Sequence, residues 1–132
     1  DSHFCLPIIS SSKKYLQEDF YPFIQLKKQP LAMIAHIKYL DLDKNQCATY
    51  SKLIISFIKK RLGFEGILLS DDLCMKALKG AYLNRAKNAI KAGCDIVLHC
   101  DPKISNTIKS CNGAGKVSKK LIEKLKNLKA FK

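Results

Sequence analysis

Three short apolar runs punctuate the chain, at Leu31 to Ile37, Gly66 to Ser70 and Asp95 to Cys100. Their apolar positions are continuous rather than alternating, which is the pattern of strands covered on both faces. Helical periodicity fills the intervals. From Ser51 to Leu62, Leu53, Ile54, Phe57, Ile58 and Leu62 share one stripe, and Gly63 stands where a C-cap belongs. A second helical stretch from about Met75 to Ala92 carries Leu78, Ala81, Tyr82, Ala89 and Ile90 and stops at Gly93. A helix from Phe20 to Lys28 ends before Pro30, and an amphipathic helix with Val117, Leu121, Leu125 and Leu128 closes the chain. The predicted order is α, β, α, β, α, β, α.

Alternation at this spacing implies an α/β fold of parallel strands joined by right-handed crossovers, either an open doubly wound sheet or a (β/α) barrel. No glycine-rich phosphate loop follows any of the strands, and Gly113-Ala114-Gly115 falls in a turn before the last helix, too late for one. A complete barrel takes about 250 residues and eight strands. The 132 residues here would be less than half of one.

Hydrophobic residues make up 47% and charged residues 27% of the chain, which excludes a disordered or collagen-like polymer. No run approaches the roughly 18 apolar residues of a membrane span, and the first residues lack a signal-peptide layout, so a cytoplasmic protein without a membrane partner is expected. The net charge of +13 raises nucleic acid as a partner, but its distribution argues against one. Nine lysines against Glu123 alone lie between Lys103 and Lys132, and only Arg61 and Arg85 are arginine. Base readout and bidentate phosphate binding favour arginine, so the lysines read as a solvated surface, with no nucleic acid bound.

The six cysteines are scattered, unlike a secreted disulfide scaffold, and fit a reducing compartment. Cys94, His99 and Cys100 include metal-ligand types, but neighbours along a strand point to opposite faces. Core cysteines, no metal and no cofactor are the expectation.

The second apolar run leads straight into Ser70-Asp71-Asp72-Leu73. Both acids therefore sit at the carboxyl end of a parallel strand, where α/β folds place their sites. Two readings stand for them, capping of the following helix and catalysis. In Asp1-Ser2-His3, an i, i+2 pair in extended chain puts both side chains on one side, so Asp1 can orient the imidazole; a frayed, exposed N-terminal tripeptide is the other reading. His36 ends the first strand and either lines the site or makes a structural hydrogen bond.

Several segments in order, Asp1-Ser2-His3 with Leu6-Pro7, Pro22-Phe23, Met33 to Ile37, Ala48 to Ser51, Leu62 to Gly66, Ser70 to Met75 and Ala92 to Leu98, are similar to bacterial β-N-acetylglucosaminidases of glycoside hydrolase family 3, enzymes of cell-wall recycling. The resemblance covers Asp1 to about Asp101. It implies a (β/α)8 barrel and a retaining hydrolysis that releases terminal non-reducing β-linked N-acetylglucosamine from peptidoglycan fragments through a covalent glycosyl-enzyme. By the same resemblance Asp71 is the nucleophile, His3 the general acid/base, Asp1 its orienting partner and Asp72 structural; His36 is a substrate-binding candidate from its place at the strand end. Cys74 stands where the family usually has serine, Cys47 where it often has proline and Ile34 where it often has threonine.

The family's upstream segments, a Lys-His-Phe-Pro-Gly-His-Gly-like loop and an arginine and an aspartate from earlier strands, bind the sugar and are not among these residues. The expectation is a partial catalytic domain over 1–132, roughly strands six to eight with their helices and the acid/base loop. It would be inactive alone and would need the amino-terminal half of the barrel as its partner. An inactive remnant, half of a split enzyme and, more remotely, a basic nucleic-acid-binding module are the alternatives.

Overall fold

The computed structural model describes residues 1–10 and 13–128. In chain order it forms β1 (Ile8–Ile9), α1 (Lys13–Gln25), β2 (Leu31–Ile34), β3 (Lys38–Tyr39), a 3-10 turn (Ala48–Tyr50) and α2 (Lys52–Ser56), which continues into a π-helical turn (Phe57–Arg61). Then come β4 (Ile67–Asp72), α3 (Tyr82–Ala92), β5 (Ile96–Leu98), α4 (Ile104–Ala114) and α5 (Lys119–Lys126). Lys129 and Lys132 of the basic tail lie outside the described residues.

The three apolar runs form one parallel sheet in the order β2, β4, β5, as the alternating pattern predicted. β4 is central and its Ile67, Leu68 and Ser70 are buried. The flanking strands differ from expectation. Each is an edge strand with sheet on one side only, so Leu31 and Met33 of β2 remain 39% and 53% exposed and β5 is half-buried throughout. A second parallel pair, β1 with β3, was not legible because each strand is only two residues long.

Local chemistry explains where the helices begin and end. Ser51 caps α2, its Oγ accepting from Ile54 N at 3.1 Å while donating to Asp43 Oδ2 at 2.6 Å. Gly63 follows the π-helical turn with φ 73°, as the C-cap position required. The second helix starts seven residues later than its periodicity suggested. Residues 73–81 form a loop instead, because Gly80 takes φ 91° and Arg85 draws in loop carbonyls, donating to Gly80 O at 2.9 Å and Leu73 O at 2.6 Å. Gly93, φ 117°, ends α3 as expected.

Two helical boundaries depart from the sequence reading. α1 starts at Lys13 rather than Phe20 and tolerates Pro22, with Leu16 buried beneath it. α4 was missed, and Gly113 lies within it rather than in a turn. The glycine is required by close approach: a Cβ there would collide with the Leu83 carbonyl of α3. Only α5, capped by Ser118, remains of the closing helix.

The core lies between β4 and its flanking helices, joining Ile34, Ile54, Ile55, Phe64, Leu68, Leu73, Leu78 and the alanines of α3. Cys47 and Cys94 belong to it, and burial pushes the Cys94 thiol up to about 12. The other cysteines correct the core-cysteine expectation. Cys5, Cys100 and Cys111 are exposed and Cys74 is half-buried, because they fall in turns or on an outer helix face.

Candidate active site

β4 delivers two adjacent carboxylates to the carboxyl end of the sheet, and the two are held differently. Between Leu69, which pairs with Ile96, and Asp72, which pairs with Leu98, β4 carries one residue more than β5. This irregularity is a bulge that re-aims the strand end. Asp72 Oδ1 accepts from the amides of Cys74 and Cys100 at 3.0 Å each, tying the β4 and β5 ends together. Burial pushes the Asp72 carboxyl up, but the donors from Cys74 and Cys100 outweigh it and leave the group below its ordinary value. Asp71 is half-buried, and only its Oδ1 is engaged, by Asp72 N at 2.8 Å. Of the two acids, Asp72 takes two amides on Oδ1 and joins two strand ends, whereas Asp71 takes one, from its own neighbour; the Oδ2 of each has no hydrogen-bond donor among the described residues.

His36 braces the pair from the neighbouring strand. It is completely buried just beyond β2, with Nε2 2.9 Å from the Asp72 carbonyl and Nδ1 2.7 Å from Thr49 Oγ1. A carbonyl only accepts, so Nε2 carries the proton, and burial lowers the imidazole pKa despite the opposing effects of the Asp72 carbonyl and the two carboxylates. The neutral ring then accepts at Nδ1 from Thr49. Both nitrogens are used within the fold. Thr49, reached through the 3-10 turn, is the partner that no local sequence pattern pointed to.

The Asp1–His3 pair forms as its spacing suggested. Asp1 Oδ1 accepts from His3 Nδ1 at 2.8 Å and from His3 N at 2.9 Å, and both side chains are exposed. The segment is a hydrogen-bonded turn, with Asp1 O accepting from Phe4 N and Cys5 N, rather than extended chain. It is tied down as well. Ala77 N donates to Ser2 O at 3.2 Å, and Lys76 Nζ lies 5.8 Å from the Phe4 ring centroid. The turn thus rests on the β4–α3 loop, a few residues beyond the carboxylates. Among the described residues no hydrogen bond or ion pair joins His3 to Asp71.

His99, raised in the sequence only as a metal-ligand type, instead packs against the turn that follows β4. His99 Nδ1 lies 3.3 Å from Cys74 Sγ and 3.0 Å from Ser110 Oγ, and its ring packs edge-on against Tyr82. Cys94, His99 and Cys100 do not converge: Cys94 points into the core towards Thr49 O. Among the described residues no three metal-ligand side chains gather.

The arrangement defines an α/β protein whose parallel sheet presents two carboxylates at its carboxyl end, with an aspartate-held imidazole on a turn that rests on the loop following them. Residues 1–129 match the family described as "Glycosyl hydrolase family 3 N terminal domain", and the chain belongs to that family. The beta-hexosaminidase of Shewanella frigidimarina is 37% identical over 110 residues, which cover 79% of this chain and 32% of the relative. That of Thioalkalivibrio sulfidiphilus is 39% identical over 105 residues, 76% and 30% of the two chains. A glycoside hydrolase family 3 beta-N-acetylglucosaminidase from a Paenibacillus species shares the fold with a TM-score of 0.80 at 23% identity, over 94% of this chain and 26% of that one. The chain therefore spans about a third of the length of the curated relatives it matches.

Proposed function

We propose that these residues supply the nucleophile and the acid/base of a retaining β-N-acetylglucosaminidase that releases terminal non-reducing N-acetylglucosamine from peptidoglycan fragments. The carrying observation is the division of labour at the β4 end: Asp72 is tied by two amides from two strand ends, Asp71 is held by one amide only, and the Asp1–His3 turn rests on the loop that follows. Asp71 Oδ2 attacks the anomeric carbon while His3 protonates the departing glycosidic oxygen through Nε2, its Nδ1 being engaged by Asp1. In the second half His3 takes a proton from water, which displaces Asp71 and regenerates the free carboxylate. The negative charge of Asp1 supports the imidazolium form at each donation. His36 acts through Asp72, fixing the strand end from which Asp71 projects.

In this reading the sheet is the C-terminal part of a (β/α)8 barrel, and the relatives' greater length holds the strands that bind the sugar. The open side of β2 supports it. An apolar groove of about 400 Å³ runs beside that strand, lined by Phe20, Phe23, Leu26, Met33, Phe57 and Leu62. Burying such a surface against further barrel strands is favourable by about 25 cal/mol per Å². A cytoplasmic location is part of the proposal, supported by six free thiols.

The test is hydrolysis of a chromogenic β-N-acetylglucosaminide by the chain, with and without a co-expressed segment carrying the remaining barrel strands. Turnover only in the reconstituted pair is expected. No turnover from a folded complex of the two would overturn the assignment.

A further inference from the structure

Two cysteines that the chemistry above leaves unused meet at the ends of β4 and β5. Asp72 and Leu98 are register partners, and Cys74 and Cys100 each lie two residues further on. Their amides share one acceptor, Asp72 Oδ1, at 3.0 Å each, so the two nitrogens are no further apart than those distances together. The two segments therefore run side by side here, and a disulfide between them needs a Cα separation of about 4.4–6.8 Å. Burial and the nearby Asp72 carboxylate push both thiols up. Cys100 is exposed and Cys74 half-buried, with a base at hand, His99 Nδ1 at 3.3 Å. The pair thus has one sulfur open to an oxidant and one placed to resolve it. Cys47 and Cys94 are buried, and no hydrogen bond or shared acceptor brings Cys5 and Cys111 together among the described residues.

We propose that Cys74 and Cys100 are a peroxide-sensitive dithiol whose disulfide clamps the β4–α3 loop to the end of β5. Cys100, as thiolate, attacks one oxygen of hydrogen peroxide; the O–O bond breaks, the sulfur becomes a sulfenic acid, and the departing hydroxide takes up the thiol's proton as water. Cys74 gives its proton to His99 and attacks the sulfenic sulfur, and the expelled hydroxide recovers that proton as a second water. Two thiols lose two electrons, one peroxide gains them, and two waters result. With both thiols pushed up, the resting pair is protonated and the reaction starts from the fraction of Cys100 that is ionised. The cross-link fixes the first turn of the loop whose Ala77 amide holds Ser2.

Cross-linking is independent of the glycosidase reading; its effect on turnover rests on that reading. The full chain is treated with hydrogen peroxide, residual thiols are alkylated, and tryptic peptides are weighed and fragmented, since the peptide Ala92 to Lys103 carries both Cys94 and Cys100. A Cys74–Cys100 peptide about 2 Da lighter than its two reduced parts, dominant over other pairings and reversed by dithiothreitol, is expected. Cys74→Ser and Cys100→Ser should each abolish it, and the former should divert Cys100 to sulfinic acid. Oxidation of Cys100 alone in the wild type, cross-links spread over other cysteines, or no oxidation would each overturn the proposal. In the reconstituted enzyme, peroxide should lower turnover several-fold in the wild type and leave Cys100→Ser unchanged.

Discussion

Replacing His36 by glutamine should remove a pH dependence from folding stability as well as two hydrogen bonds. In the folded chain burial lowers the His36 pKa, while in the unfolded chain it returns to about 6.5. Below that value the unfolded state takes up a proton that the folded state refuses, so unfolding gains up to about 1.4 kcal/mol per pH unit. The stability contribution is thus complete above pH 6.5, declines as pH falls through the window towards the folded value, and is flat beyond it. At pH 8 the variant also loses the bonds to Thr49 and to the Asp72 carbonyl, about 0.5–1.5 kcal/mol each. The loss is softened because Met75 N still reaches Asp72 O at 3.1 Å and Thr49 Oγ1 still reaches Ala35 O at 3.3 Å. Urea unfolding of both proteins from pH 8 to 5.5 gives the difference directly. The wild-type advantage should be about 1–3 kcal/mol at pH 8 and should shrink on acidification. An advantage that stays constant or widens would refute the buried, neutral assignment.

Other outcomes follow from the same geometry. Tyr50 has a buried hydroxyl without a hydrogen-bond partner among the described residues, so Tyr50→Phe should raise stability by about 1 kcal/mol in thermal or urea unfolding. Gly66→Ala should lower the melting temperature sharply, since a Cβ would lie 2.6 Å from the carbonyls of Gln29 and Pro30. Leu73, fully buried beside the carboxylates, should cost about 2–5 kcal/mol as Leu73→Ala. In the reconstituted enzyme, Asp71→Ala should nearly abolish kcat with the fold intact, whereas Asp72→Asn should act chiefly on stability; the reverse order would exchange their roles.

How much of this was legible depended on how local the cause is. The three strands and their parallel order follow from apolar runs read over a few residues, and Gly63 and Gly93 announced helix ends through backbone freedom that only glycine has cheaply. The position of Asp71 and Asp72 followed from the run that precedes them. What escaped depends on distant partners. His36 owes its role to Thr49 and to the Asp72 carbonyl, 13 and 36 residues away. The loop at 73–81 kept a helical apolar pattern because Leu78 packs inward from an irregular backbone held by Arg85. α4 lacked a strong stripe, and its Gly113 resembled a turn until its contact with α3 explained it. The bulge that separates the two carboxylates' environments arises from pairing with β5, which no single segment encodes.

The central claim is that Asp71, and not its neighbour, forms the bond to the sugar. The most direct measurement is peptide mass spectrometry of the reconstituted enzyme after incubation with a slow, fluorinated N-acetylglucosaminide that accumulates the glycosyl-enzyme. A sugar adduct on the peptide Ser70 to Lys76, localised by fragmentation to Asp71, is the expected result. An adduct on Asp72, or steady turnover with no adduct and with inversion at the anomeric carbon, would contradict the account.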